Sequence, residues 1–275
     1  MLARLEYWRR ALGTGLCFAV YGCVSLIASY TLLPLLQTWP GSTEMRQRRV
    51  RSVASLSFRW LLGSITALGL GRVEVQGRER LAEAQGRLII ATHPMYLDVV
   101  ALLALLPQAD CVVKSSMLQN PLYRRFARAA GYISNSDPAY LMEHCVQALR
   151  QGRTLVLFPE GTRTEPGQPW RFRRGAAQVA VRSGCEILPV LMHCDPPALL
   201  KSTRWHQVPQ RPWRLLVKFY PPQALADFGV QADWPPGVAA RHLNRALETF
   251  FKQQLASHEQ PDRRPEAAQH HLARS

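Results

Sequence analysis

A run without a single charged side chain, Ala11 to Leu36, constrains this chain more than any other feature. Wound as one helix it would be about 39 Å long, more than the roughly 30 Å hydrocarbon core of a bilayer. Such a segment has to be covered by lipid or by the rest of the chain. Pro40-Gly41 and four arginines (Arg46, Arg48, Arg49 and Arg51) follow, and Gln37 to Arg51 reads as a linker. A second apolar stretch, Val53 to Leu70, is interrupted by Arg59. The pattern predicts a membrane-associated helical hairpin over residues 1–70. If both arms crossed the membrane, the linker arginines would lie on the far side, against the positive-inside tendency. A hairpin that dips into one leaflet keeps every arginine on one side. A monotopic anchor on the cytoplasmic face is therefore the expectation. A cleaved secretory signal fits poorly, because the run is too long for a signal core and no clear small-residue cleavage site follows.

Beyond residue 70, strand-like runs recur at Val73–Val75, Leu88–Ala91, Cys111–Lys114, Tyr132–Ser134, Thr154–Phe158, Glu186–Leu191 and Arg214–Tyr220, with helix-like segments between most of them. That alternation predicts an α/β fold, a mostly parallel central sheet flanked by helices, over residues 71–256. Leu243, Ala246, Leu247, Phe250 and Phe251 show helical spacing and predict a late helix packed on the core. Pro196 to Pro212, rich in Pro, Trp and basic residues, reads as a loop. The polar residues 257–275 read as a disordered tail.

Two motifs carry the chemistry. In Thr92-His93-Pro94-Met95-Tyr96-Leu97-Asp98, the histidine and the aspartate are five apart. On a regular helix they would sit roughly 140° apart and could not meet. They meet if His93 lies in a loop after the strand Arg87–Ala91 and Asp98 opens the next helix, Leu97–Leu106, which Pro107 ends. A histidine aligned by a carboxylate is a general-base arrangement. Alone, such a pair is better explained by a helix cap, because short motifs match by chance. Sixty residues after Asp98 comes the second motif, Phe158-Pro159-Glu160-Gly161-Thr162-Arg163, at the exit of another strand. Ligand sites in open α/β sheets lie outside the carboxyl ends of strands. Gly161 permits close backbone approach, and Arg163 suits phosphate. Glu160 has two readings: acceptor of hydrogen bonds from substrate hydroxyls, or orienter of Arg163.

The paired motifs, in this order, resemble the signature of glycerolipid acyltransferases of the lysophosphatidate acyltransferase type. The resemblance runs from about Gly71 to Tyr220. It includes the block carrying Lys114, Pro121 and Gly131, the segment Arg173-Arg174-Gly175-Ala176, and Ile187-Leu188-Pro189-Val190. It implies an O-acyltransferase in which His93 and Asp98 act as the base pair, without a covalent acyl-enzyme. Glu160, Gly161, Thr162 and Arg163 would bind substrate, with Lys114, Arg173 and Arg174 as further candidates. It implies acyl-CoA or acyl carrier protein as co-substrate, with no metal and no other cofactor. The default acceptor is 1-acyl-sn-glycerol-3-phosphate; ornithine-lipid, glycolipid and polyene-lipid acceptors stay open. There are two departures from the family pattern. Asp137 stands where the family's middle block usually ends in a phosphate-binding arginine, and Arg124 stands where a glycine is usual. Asp137-Pro138 also reads locally as a helix N-cap with proline in the first turn.

The net charge is +15, and all but four of the 34 basic residues are arginine. That charge calls for an anionic partner, and membrane lipid comes first. Nucleic acid is set aside, since no zinc-ligand spacing, P-loop or RNA-stacking motif occurs. A non-catalytic basic membrane-binding protein is the remaining rival. The six cysteines are scattered without a Cys-x-x-Cys pair, as in a reduced compartment. Oligomeric state is not legible.

Overall fold

In the computed structural model, which describes residues 2–259, the chain forms a three-layer α/β/α sandwich. The seven strands are β1 (Gly71–Gln76), β2 (Leu88–Ala91), β3 (Asp110–Val113), β4 (Ile133–Ser134), β5 (Leu155–Leu157), β6 (Ile187–Asp195) and β7 (Trp213–Phe219). Their order is β1-β7-β6-β2-β5-β3-β4, parallel throughout except for the antiparallel β6–β7 pair. Each of the seven apolar runs picked out by sequence became a strand, with ends shifted by a few residues. Alternation along the strands builds two cores. Ile89, Ala91, Leu188, Val190 and Met192 face one side, and Leu88, Ile90, Ile187 and Leu191 face the other.

The first core is covered by α3 (Thr43–Ala67) and α4 (Asp98–Leu105). The second is covered by α6 (Pro138–Arg150), α7 (Gly175–Ser183) and α8 (Pro236–Glu259). Leu243, Leu247 and Phe251 of α8 are fully buried, as their spacing predicts. Helix α8 continues through Glu259, into the first residues of the expected tail; residues 260–275 lie outside the described residues.

The N-terminal hairpin has α1 (Leu2–Tyr30) and α2 (Leu32–Thr38) as one arm and α3 as the other. Pro34 explains the break at Thr31, because its ring occupies the space of the Tyr30 carbonyl and it offers no N–H. The connection differs from the expected linker. Residues 39–42 make the turn, and Ser42 caps α3 by accepting from the Met45 amide at 3.2 Å. The four linker arginines therefore lie on helix α3, not in a loop.

Two arginines of α3 attach it to the sandwich. Arg51 is 6% exposed; it donates to the Ala130 carbonyl at 2.7 Å and pairs with the fully buried Asp110 at 2.6 Å. Arg153 binds the other oxygen of Asp110. Arg59 and Ser55 both donate to the Ala104 carbonyl at the end of α4, at 2.8 and 3.2 Å. The charge that interrupts the second apolar stretch is thus a helix-end partner. Between the bilayer and the domain, α3 belongs in large part to the domain. Asp110→Ala would leave Arg51 buried without its carboxylate and should cost about 3–5 kcal/mol of unfolding free energy in denaturant titrations. Arg72→Ala, which removes an exposed pair with Glu74, should cost under about 1 kcal/mol. Equal costs would contradict this reading of α3.

Candidate active site

Strands β2 and β5 are parallel neighbours, with Ile90 opposite Leu157. Their carboxyl ends open on the same sheet edge, so the chain leaving each runs into one of the two motifs. Thr92 starts the first loop. Its buried hydroxyl donates to the Met192 carbonyl at 2.9 Å and accepts from the Met192 amide at 2.7 Å, pinning the loop to β6. Residues 93–97 then turn, and Asp98 opens α4.

That turn closes the gap a helix would have left. Asp98 Oδ2 lies 2.9 Å from His93 Nδ1 and accepts the Met95 amide at 2.7 Å. The carboxylate has no exposed surface, while the imidazole is 17% exposed. An acceptor at Nδ1 puts the ring proton there and leaves Nε2 as the basic nitrogen. Phe158 stacks on the imidazole, centroids 4.4 Å apart and planes inclined 29°, and fixes its plane. Burial pushes the Asp98 carboxyl up from its ordinary range; the His93 contact, the Met95 amide and the charge of Arg163 pull it back.

Glu160 binds the two motifs together. It is 4% exposed. One oxygen accepts the His93 amide at 2.8 Å and the other accepts the Thr164 hydroxyl. Thr164 in turn donates its amide to the His93 carbonyl at 3.0 Å. Both carboxylate oxygens are therefore engaged by protein donors, neither of them Arg163. Burial, with a smaller contribution from the Asp98 charge, pushes Glu160 up to about 7, against the hydrogen bonds it accepts.

Arg163 is held from the other side. It donates to the Leu199 carbonyl at 3.0 Å and its guanidinium lies 5.6 Å from the centre of the Tyr96 ring. The same carbonyl accepts the Tyr96 amide at 3.2 Å. Leu199 has φ of 49°, a conformation that costs about 1–3 kcal/mol outside glycine and asparagine. The Pro- and Trp-rich segment thus packs beside the site and aims one carbonyl at it. Gly161 has φ of 68°, and a Cβ there would come within 2.9 Å of Arg173 Cδ, so both backbone and neighbour demand glycine. Arg173 donates its amide to the Pro159 carbonyl at 2.7 Å.

The structure therefore gathers His93, Asp98, Glu160, Gly161, Arg163 and Arg173. Thr162 is exposed, Arg174 is exposed at the start of α7, and Lys114 is exposed at the exit of β3. Among the described residues these three make no hydrogen bond to the His93–Asp98 pair. Asp137 accepts the Ala139 and Tyr140 amides at 2.8 and 3.3 Å, so its carboxylate is committed to capping α6. Arg124 is exposed on α5 (Pro121–Ala129). Sequence reasoning missed Phe158, Thr164, Tyr96 and Leu199. Phe158 and Thr164 were within reach, since they flank the second motif; nothing local marks Leu199. A cavity of about 760 Å³ runs beside the loop, between Pro94 and Thr164 on one side and Lys252 and Leu255 of α8 on the other.

Residues 72–193, which contain both motifs, match the family model described as Acyltransferase. Over these residues the chain is similar to the PlsC-like glycerolipid acyltransferases. It is similar to a 1-acyl-sn-glycerol-3-phosphate acyltransferase of Limnanthes alba, 26% identical over 78% of this chain and 76% of that one. It is 28% identical to the alpha enzyme of the same description from Mus musculus, over 66% and 64% of the two chains. The match to the chloroplast enzyme of Arabidopsis thaliana, 25% identical, takes in 48% of this chain and only 39% of that protein. In fold, the crystal structure of PlsC from Thermotoga maritima superimposes with a TM-score of 0.69 at 17% identity, covering 94% of this chain and 98% of that one.

In this site the raised carboxyl of Glu160 has a measurable consequence. A group whose folded pKa exceeds its unfolded value stabilises the fold below the unfolded value, and loses that contribution as pH rises through the folded one. For Glu160 the window runs from 4.5 to about 7, and the loss is at most about 3 kcal/mol. Glu160→Gln keeps an acceptor for the His93 amide and a donor for Thr164, and it removes the titration. Wild-type stability minus that of the variant should fall across this window and level off above it. A difference independent of pH would contradict the assignment.

Proposed function

We propose that this chain transfers a fatty acyl group from acyl-CoA or acyl carrier protein to the free hydroxyl of a lysophospholipid, with 1-acyl-sn-glycerol-3-phosphate as the default acceptor. The observation that carries the proposal is the His93–Asp98 contact, with Nε2 of the ring left as the basic nitrogen. His93 removes the hydroxyl proton as the oxygen attacks the thioester carbonyl. Collapse of the tetrahedral intermediate breaks the carbon–sulfur bond, and the proton passes to the departing thiolate. Asp98 holds the ring and stabilises its charged form. Glu160 is a positioning residue that fixes the His93 backbone. Arg163 and Arg173 supply positive charge for the acceptor head group, with Lys114, Arg174 and Thr162 further out. The amides of His93, Met95 and Tyr96 are engaged by Glu160, Asp98 and Leu199, so the oxyanion donor is another group. The acid at position 137 favours testing acceptors that lack the phosphate.

The same proposal places the domain on one membrane face. Residues Arg4–Thr38 are long and apolar enough to cross a bilayer. However, α1 is in contact with the domain along its length. Tyr7 donates to the His206 carbonyl at 3.0 Å, Phe18 meets Tyr96 edge-on at 6.2 Å, and Tyr30 lies under Arg125 at 4.4 Å. A spanning α1 would pull those polar partners into hydrocarbon, at several kcal/mol for each unsatisfied group. A helix lying along the cytoplasmic leaflet, with Leu12, Leu16, Ile27 and Leu35 in lipid, avoids that cost.

Two measurements check this. His93→Ala should lower the rate of thioester consumption with a lysophosphatidate acceptor by about 10²–10⁴-fold or more while leaving the circular dichroism of the folded state intact; turnover near the wild-type rate would remove the base. Running the assay with ornithine-type and glycolipid acceptors identifies the substrate, and consumption without any acceptor would mark a thioesterase. Single cysteines placed at residues 39–42 should be labelled from the cytoplasmic side of sealed vesicles. Labelling from the opposite side alone would defeat the monotopic arrangement.

A further inference from the structure

One main-chain carbonyl, outside both motifs, is shared by the two of them. The Leu199 carbonyl accepts a guanidinium N–H of Arg163 at 3.0 Å and the amide of Tyr96 at 3.2 Å. A carbonyl has two lone pairs, and both are engaged here. One donor belongs to the second motif, the other to the loop between His93 and Asp98. To aim that carbonyl, Leu199 adopts φ of 49°, and no other non-glycine residue among the described residues has a positive φ. Leucine avoids this region because its Cβ crowds the following carbonyl oxygen. Such a conformation persists only where the surrounding structure over-determines it.

The surroundings that hold Leu199 include α1. Tyr7, Arg10, Thr14 and Phe18 follow at three- and four-residue spacing, so they share one side of the helix, and all four are buried or half-buried. Arg10 and Thr14 line a small cavity with Leu199, Gln207 and Val208. Leu199 packs on the same core cluster as Cys17 and Phe18. Further along the segment, the Tyr7 hydroxyl donates to the His206 carbonyl at 3.0 Å, and a Cβ on Gly15 would come within 2.6 Å of the Trp205 ring. The stretch between is tied down as well. The Ser202 amide donates to Glu165 at 2.7 Å, the Thr203 hydroxyl to the Leu200 carbonyl at 3.2 Å and the Arg204 amide to the Gln207 side chain at 2.7 Å. Helix α1 thus holds the segment, and the segment holds Arg163.

We propose that Leu199 is a positioning residue for acyl transfer. Its side chain, seated against α1, keeps a disfavoured backbone conformation in place so that its carbonyl fixes Arg163. The seating of α1 thereby sets the affinity of the site for an anionic acceptor head group. His93 is held independently, by Asp98 at Nδ1 and by Glu160 at its amide, so the effect falls on binding and leaves the base in place. The effect on affinity rests on Arg163 serving the acceptor, as proposed above; the hold of α1 on Arg163 does not.

A pair of substitutions separates this role from simple filling of the core. If packing alone matters, Leu199→Gly, the larger truncation, does more damage than Leu199→Ala. If the carbonyl direction matters, alanine is the worse replacement: it loses the grip on α1 and keeps the penalty at positive φ, which glycine escapes. With lysophosphatidate and the full chain, Leu199→Ala should raise the acceptor KM about tenfold, as expected for a lost hydrogen bond to a charged group. Its kcat and acyl-donor KM should stay close to wild type. Leu199→Gly should raise the acceptor KM less. Leu199→Met, which keeps the anchor, and Lys201→Ala, exposed in the same segment, should leave it unchanged. A larger effect in Leu199→Gly than in Leu199→Ala, a loss confined to kcat, or an unchanged KM in Leu199→Ala would overturn the role. The hold on Arg163 is read without turnover, from hydrogen exchange of its guanidinium in bicelles, with the signal assigned by its loss in Arg163→Lys. Exchange should quicken about tenfold in Leu199→Ala and severalfold in Tyr7→Phe, which cuts a hydrogen bond from α1 and spares the core. An unchanged rate in Leu199→Ala would overturn the coupling; should that variant fail to fold, an unchanged rate in Tyr7→Phe would do so. Absence of turnover with every acceptor would remove the acyl-transfer reading and leave exchange to decide the coupling.

Discussion

Asp98 has no exposed surface, and a single one of its oxygens serves two donors, the imidazole of His93 and the amide of Met95. A buried carboxylate is costly unless such donors reach it, so the loop 93–97 must close to satisfy it. Closing the loop orients the imidazole, and the imidazole then rests on Phe158 at the exit of the neighbouring strand. Glu160 repeats the device from the other side, with a buried carboxylate that takes the His93 amide and the Thr164 hydroxyl. The two acids convert a pair of strand exits into one rigid unit. The parallel pairing of β2 with β5 brings those exits to the same edge.

What sequence made legible was mostly local or periodic. Apolar runs of a few residues marked all seven strands. The cap at Asp137-Pro138 was readable because a side chain binding amides two and three residues ahead leaves its signature in adjacent letters. The meeting of His93 and Asp98 was legible because helix geometry forbids it without a loop. Partners distant along the chain were not legible. Arg51 looked like a linker charge because nothing nearby announces Asp110. Arg59 looked like an interruption of an apolar helix because its acceptor is a main-chain carbonyl of α4. Glu160 looked like a substrate ligand because half of its work is done with a backbone amide, which carries no residue identity.

The arginines reveal a division of labour that net charge alone conceals. Arg51 and Arg153 neutralise a buried acid inside the sandwich. Arg163 is held at the active-site wall by Leu199. Arg10 is buried on the face of α1 that packs on the domain, and its Nε has no hydrogen-bond acceptor among the described residues. Others, such as Arg124, Arg125 and Arg128 on α5, face outward next to the hairpin.

The central claim is that Asp98 holds His93 with its proton on Nδ1 and its Nε2 bare. Nitrogen-15 NMR of histidine-labelled protein in bicelles, with the His93 signal assigned by its loss in His93→Gln, reads this directly. The account predicts a slowly exchanging, strongly downfield Nδ1 proton and an Nε2 shift typical of an unprotonated ring nitrogen, with the downfield proton lost in Asp98→Asn. A His93 signal from the opposite tautomer, or an Nδ1 proton exchanging freely with water, would contradict it.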